Sequence, residues 1–316
     1  MPLLPAARRA SRAIAVVTAI AGPVVPRLLP GASGLRAQQG LLLASLALGM
    51  PHGASDTELL VRAAHGSRTR PLALLGGYAA VAAGSTAVVR RGGPWVERGV
   101  LAMSAAHFAE GELACWGTAP RRTTLLRLLG AATTSVLLPA AVGHANRRPP
   151  EVGANAALEI TSSARAAGEH SGAVLLRRGS RAVAAPALLA LLCAAGLSRA
   201  GDREAAGDTA LLLAMDLLAP PSSAFAGYFG GWHALRHTAR VVDALVAEGQ
   251  LPEQDSLAQA VLTLGRRSAW AAGVGLVAAA LLALKDPEHA SDNAFAAVLG
   301  LTVPHMTTVA LELSRG

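Results

Sequence analysis

The chain is divided into apolar runs separated by short connectors that carry arginines. The longer runs hold about 20 residues, the length that a helix needs to cross the hydrocarbon core of a bilayer. Only 15% of the residues are charged, whereas a soluble domain carries about 25%. The sequence therefore predicts an all-α, polytopic transmembrane bundle with about 8 membrane helices, a multi-pass protein of the cell membrane. The runs are residues 13–25, 41–60, 71–89, 96–116, 125–142, 182–197, 209–218, 224–242, 268–284 and 294–313.

The N-terminus differs from the rest of the chain in charge. Arg8, Arg9 and Arg12 precede the apolar stretch Ala13–Val25, in an order that resembles a signal peptide. No convincing cleavage site follows. We therefore predict two parts, an N-terminal basic anchor segment over residues 1–36 and a transmembrane bundle over residues 37–316.

The net charge of +8 comes from 28 lysines and arginines, nearly all arginine. These charges are spread over connectors and form no basic domain with interleaved aromatic residues, which argues against a nucleic-acid partner. Anionic lipid headgroups are the expected counter-charge, so the lipid bilayer is the predicted partner. Basic clusters occur in consecutive connectors and leave the membrane orientation open. Cys115 and Cys193 lack the spacing of a metal site and are expected to be buried.

Two histidines stand four residues apart in the apolar run Ala224–Val242. At this spacing His233 and His237 share one face of a helix, close enough to hold one metal ion. Burying both imidazoles costs several kcal/mol unless their nitrogens find partners. Ligation of a metal or a haem satisfies both rings, so the pair predicts such a site.

Three more histidines occupy apolar runs. His52 has Asp56 four residues later, and His107 is followed by Glu110 and Glu112, so each has a carboxylate at helical spacing. Carboxylates of this kind orient a ligating imidazole and raise its basicity. The third is His305, whose isolated position fits packing as well as ligation. The remaining histidines lie in polar connectors and are predicted to be solvated: His65, His144, His170 and His289.

An all-imidazole site suits iron, copper or zinc and does not suit magnesium or calcium. Several classes remain open on these residues. A bis-histidine haem carrier needs imidazoles on opposite faces of the haem, which a pair on one helical face does not supply. A di-iron desaturase needs additional HxxHH clusters, a zinc protease needs HExxH, and the chain contains neither motif. A transporter whose histidines gate or pack is a further alternative.

Four fragments, in this order, resemble the Brp/Blh family of integral-membrane β-carotene 15,15′-dioxygenases. They are MPHGASD at residues 50–56, SAAHFAEGE at 104–112, YFGGWHALRH at 228–237 and VPHM at 303–306. The resemblance spans about residues 40–310. Ser55 replaces a larger apolar residue of the family pattern, and aromatic residues make up only 3% of the chain.

The resemblance implies cleavage of the central double bond of β-carotene, or of a related carotenoid, by dioxygen to give two molecules of all-trans-retinal. It implies non-haem Fe(2+) as cofactor, with His52, His107, His233 and His237 as ligands, and a functional link to a retinal-binding rhodopsin. The residues expected to support the ligands or line the pocket are Asp56, Glu110, Glu112, Phe108, Tyr228, Phe229, Trp232 and His305. The alternative is a membrane protein that binds a metal or a haem without oxygenase activity.

Overall fold

A computed structural model gives the fold. It describes residues 2–28, 70–118, 121–146, 171–177, 179–285 and 300–308, together with positions 33, 37, 40, 41, 44, 45, 48, 49, 52, 53, 56 and 60. Every regular element within these residues is helical and none is a strand. The predicted all-α class is therefore confirmed.

The α-helices are α1 (Leu4–Leu28), α2 (Arg70–Arg91), α3 (Pro94–Trp116), α4 (Arg121–Ala132), α5 (Leu138–Asn146), α6 (Gly172–Arg177), α7 (Arg181–Arg199), α8 (Arg203–Leu218), α9 (Pro221–Ala226), α10 (Leu235–Ala247) and α11 (Leu257–Lys285). In the part of the chain that the structure describes, two π-helical segments interrupt this series. Thr133–Leu137 joins α4 to α5, and Gly227–Ala234 joins α9 to α10. Residues 300–308 are also helical.

Among the described residues, three helical stretches are long and apolar enough to cross a membrane: Ala73–Arg91, Arg121–Asn146 and Arg181–Arg199. These stretches are compatible with a membrane protein. The predicted runs at residues 41–60 and 294–313 lie mostly outside the described residues, and other apolar runs coincide with α1, α3, α8 and α11. The count of about 8 membrane helices stays a prediction.

Helix α1 packs into the bundle against α8, α10 and the π-helical segment Gly227–Ala234. Its small residues Ala15 and Ala19 lie in one buried cluster with Tyr228 and Trp232. Small side chains allow helix backbones to approach closely where apolar lipid supplies no hydrophobic drive for association. The N-terminal segment thus contributes to the core, although its division from the bundle after residue 36 stays a prediction.

A buried polar network ties four helices together beneath the apolar surface. Arg236 of α10 donates from Nη1 to Glu112 of α3 at 3.0 Å and to Asp208 of α8 at 2.9 Å. Its Nε donates to the hydroxyl of Ser11 on α1 at 2.8 Å. Trp116 of α3 also donates to Asp208, at 2.9 Å. Buried charges are tolerated when they are paired and hydrogen-bonded in this way, so the network fixes the helices that carry the site.

Candidate metal centre

The π-helical segment Gly227–Ala234 positions His233 and leads directly into α10, which carries His237. Both side chains are buried, and their rings stack with centroids 6.1 Å apart. π-Helical turns are rare in proteins, and those that occur within α-helices frequently lie at functional sites. The prediction that this pair shares one face is confirmed by the stacking.

Two glycines let this segment lie against its neighbours. A Cβ at Gly230 would lie 2.8 Å from Ser45, and a Cβ at Gly231 would lie 2.5 Å from Cγ2 of Ile14. The amide of Gly230 also donates to the Ser45 hydroxyl at 3.1 Å. The glycine pair immediately before Trp232 is therefore required by close packing. This packing fixes the position of the segment that carries His233.

Helix α3 brings His107 to the same place. Its ring centroid lies 5.3 Å from that of His233. One turn later Gly111 faces the His233 ring, where a Cβ would lie 2.9 Å from Cε1. The Phe108 ring meets the His233 ring edge-on, with centroids 4.6 Å apart. Helix α3 thus supplies one imidazole and the surface on which another rests.

His52 occupies the centre of the group. Its ring centroid lies 4.9 Å from His233, 4.2 Å from His237 and 4.8 Å from His305. The ring of His107 is 6.4 Å away. We call these five residues, His52, His107, His233, His237 and His305, the histidine cluster. Each of them is buried, although they are drawn from four separate parts of the sequence.

Three of the five members of the histidine cluster, without His233 and His237, have donor atoms close enough together to hold one metal ion. One ring nitrogen from each of His52, His107 and His305 can be chosen so that all three lie within 4.8 Å of one another. Among the described residues, Nε2 of His233, His237 and His305 has no hydrogen-bond partner. Buried nitrogens without partners are costly, and coordination of one cation would satisfy several of them together. Neutral imidazole is a preferred ligand for iron, copper and zinc.

Asp56 supports a different histidine from the one that its spacing predicted. Both of its carboxylate oxygens accept from Nδ1 of His305, at 2.8 and 2.9 Å. Tyr78 of α2 donates its hydroxyl to Oδ2 of Asp56 at 2.7 Å. The expected pairing of Asp56 with His52 is therefore replaced by a contact that crosses most of the chain.

The two glutamates after His107 have different positions. Glu110 is exposed, which contradicts its predicted support of His107. Glu112 is buried, and it accepts from Nε1 of Trp232 at 2.9 Å and from Arg236 at 3.0 Å. Glu112 therefore holds Trp232, which precedes His233, and Arg236, which precedes His237.

The predicted aromatic residues divide into two groups. Phe108 and Tyr228 lie beside the histidine cluster, with the Tyr228 ring 6.1 Å from His233. Trp232 is fully buried, and the Arg236 guanidinium lies 3.6 Å from its ring centroid. Phe229 stacks on Phe225 instead, at 5.6 Å. It also approaches Gly49, three residues before His52, and its expected place beside the ligands stays a prediction.

Sequence reasoning missed Tyr78, Asp208 and Arg236. Helix α2 is interpreted from the sequence as packing material because it is rich in glycine and alanine. The hydroxyl of Tyr78, one of three hydroxyl groups in this helix, was the available signal. Of the connector histidines, His144 is exposed as predicted. His65, His170 and His289 lie outside the described residues.

The fold and site define the class as a helical bundle with apolar spans and a buried cluster of imidazoles able to hold a metal. The chain belongs to the β-carotene 15,15′-dioxygenase family, whose model matches residues 43–311. The resemblance found in the four fragments is thereby confirmed, and membership supports a carotenoid dioxygenase. Searches of curated proteins and of solved structures gave no match.

Proposed function

We propose that this protein cleaves the central 15,15′ double bond of β-carotene, or of a related carotenoid, with dioxygen. The carbon–carbon double bond and the O–O bond break, and each new carbonyl receives one oxygen atom. One molecule of β-carotene and one of dioxygen then give two molecules of all-trans-retinal, with no further oxidant or reductant. Family membership supplies the substrate class.

The observation that carries the proposal is that five buried histidines converge in the interior of a chain that belongs to this family. We propose His52, His107, His233 and His237 as ligands of Fe(2+). The chemistry that iron supplies when bound is the activation of dioxygen. Imidazoles suit this metal. Among the described residues, Nε2 of His233 and Nε2 of His237 are buried without a hydrogen-bond partner, which supports their role as ligands.

The protein's own residues position the polyene and exclude water. The edge-on rings of Phe108 and Tyr228, 5.3 Å apart, form an apolar wall next to His233. A hydrocarbon gains no hydrogen bonds in such a pocket, so shape and burial set its position. We propose that the carotenoid reaches this wall from the bilayer, in which it is soluble, through a gap between helices. Holding its central bond close to the histidine cluster converts the reaction into an effectively intramolecular step.

The packing of the imidazoles disfavours the haem alternative. The rings of His233, His237 and His305 all have centroids within 4.9 Å of the His52 centroid. A porphyrin between any two of these rings would overlap a third. A single ion requires no such space.

The proposed product and the apolar helices lead to two further proposals, a functional partner and a location. Retinal is the chromophore of microbial rhodopsins, so we propose a functional link to a retinal-binding rhodopsin. We also propose a multi-pass location in the cell membrane. The three apolar helices are compatible with that location, which places the enzyme in the phase that dissolves its substrate.

The test is expression of the full chain in a bacterium that accumulates β-carotene, followed by pigment extraction and chromatography. We expect loss of β-carotene and the appearance of about two retinal molecules for each carotenoid consumed, the ratio fixed by central cleavage. The His237→Ala variant should leave the pigment intact, whereas the exposed-histidine control His144→Ala should cleave normally. Paired products of unequal length, or unchanged pigment with the protein present in the membrane, would contradict the proposal.

A further inference from the structure

We infer that His305 is an additional ligand of the metal through Nε2, and that Asp56 and Tyr78 are positioning residues that hold it there. This inference rests on the proposed metal site and deepens it. The resemblance to the family supplies four histidine ligands and gives His305 a role only in supporting the ligands or lining the pocket. The geometry points to direct ligation.

The position of His305 is that of a ligand. Its ring centroid lies 4.8 Å from His52 and 4.8 Å from His107, and 5.9 Å from His237. One of its ring nitrogens belongs to the group of three donor atoms, from His52, His107 and His305, that lie within 4.8 Å of one another. His305 therefore sits among the predicted ligands as closely as they sit to one another.

The hydrogen bonds at Nδ1 determine what Nε2 can do. Asp56 accepts at Nδ1 with both oxygens, so the ring proton lies on that nitrogen. Nε2 of the neutral ring then carries a lone pair. Within the described residues this nitrogen is buried and has no hydrogen-bond donor to accept from. A carboxylate behind Nδ1 and an open Nε2 in front is the usual arrangement of a metal-bound histidine.

Charge leads to the same conclusion. Asp56 is 1% exposed, and within the part of the chain that the structure describes the basic group in contact with it is His305. A buried carboxylate is costly unless positive charge lies nearby. A metal cation bound at Nε2 would supply positive charge to this carboxylate through the ring.

Tyr78 connects this arrangement to α2. Its hydroxyl donates to Oδ2 of Asp56 at 2.7 Å. Two turns further along α2, Thr86 lies against Gly300, where a Cβ would meet the Thr86 backbone nitrogen at 2.7 Å. Helix α2 thus contacts the C-terminal helical segment at Gly300 and, through Asp56, at His305. Tyr78 fixes Asp56, and Asp56 fixes the orientation of the ring.

The test uses the purified full chain in detergent and follows metal binding without activity. Co(II) reports the number and geometry of its ligands through its visible absorption. We expect His305→Ala to weaken Co(II) binding and change the visible spectrum. Added imidazole should restore both, which would also show that the variant is folded. Asp56→Asn should weaken binding about 10- to 100-fold, and Tyr78→Phe should have a smaller effect in the same direction.

The matched controls are His144→Ala and Asp255→Asn, which alter exposed residues of the same types. Wild-type affinity and spectrum in His305→Ala would overturn the ligand assignment, as would a wild-type chain that takes up no metal. Unchanged binding in Asp56→Asn would overturn its positioning role. A wild-type protein that binds Co(II) through His305 but leaves β-carotene intact would contradict the proposed reaction while supporting this inference.

Discussion

The carboxylate of Glu112 on α3 accepts a hydrogen bond from the indole of Trp232, the residue immediately before His233, at 2.9 Å. The other carboxylate oxygen accepts from Arg236, immediately before His237, at 3.0 Å. One buried glutamate therefore holds the residue preceding each histidine of the pair. Trp232 and Arg236 are four residues apart, as are His233 and His237, so each pair follows its own face of the helix.

Removing this carboxylate should destabilise the bundle. Glu112→Ala leaves Arg236 with a weakened set of partners in the interior, and breaking a buried ion pair costs about 3–5 kcal/mol. Glu112→Gln, which keeps the shape and one acceptor, should cost less. Thermal unfolding in detergent is the measurement. The control is Glu110→Ala, an exposed position two residues away, whose melting temperature should match the wild type. Equal melting temperatures for the two alanine variants would contradict the role assigned to Glu112.

Adding volume at Gly111 should disturb the histidine cluster directly. A Cβ there would lie 2.9 Å from Cε1 of His233, so Gly111→Ala must displace the ring. Small displacements of reacting groups cost roughly 10- to 100-fold in rate. We expect about a tenfold loss of retinal formation in Gly111→Ala and a greater loss in Gly111→Val.

Gly99 provides the control for this experiment. It lies on the same helix, and a Cβ there meets no described atom within 4 Å. Gly99→Ala should therefore retain wild-type activity. Full activity in Gly111→Val would show that His233 does not depend on this contact.

The contact between α1 and the π-helical segment can be tested by exchanging volume. Gly231→Ala places a Cβ 2.5 Å from Cγ2 of Ile14, and such overpacking typically costs about 1–3 kcal/mol. Ile14→Ala removes the obstructing methyl groups. The double variant should recover part of the melting temperature lost by Gly231→Ala, since residues in contact are energetically coupled. Strictly additive effects of the two substitutions would contradict a direct contact.

The sequence was sufficient to predict the helical class and the convergence of His233 with His237. Both follow from periodicity, which is a local property of the chain. Glu112 lies on the buried face of α3 together with Ala105, Ala109 and Trp116, since the four buried residues follow helical spacing. The choice between Glu110 and Glu112 therefore depended on which face of α3 meets its neighbours, and the spacing from His107 did not determine that.

Contacts between distant parts of the chain were beyond such reasoning. Asp56 and His305 are 249 residues apart, and helical spacing linked Asp56 to His52 instead. The π-helical segment was also not predicted, since its register arises from close packing of Gly230 and Gly231 against Ser45 and Ile14. Tertiary packing decided both features.

Iron binding by the histidine cluster can be measured on the purified chain. The chain is loaded with Fe(II) without oxygen, excess metal is removed, and iron per chain is determined. We expect about one iron per wild-type chain, as for a single closed site. The same value is expected for His144→Ala, and little iron for the double variant His233→Ala, His237→Ala. Equal iron in the double variant and the wild type, or none in either, would contradict iron binding by the histidine cluster.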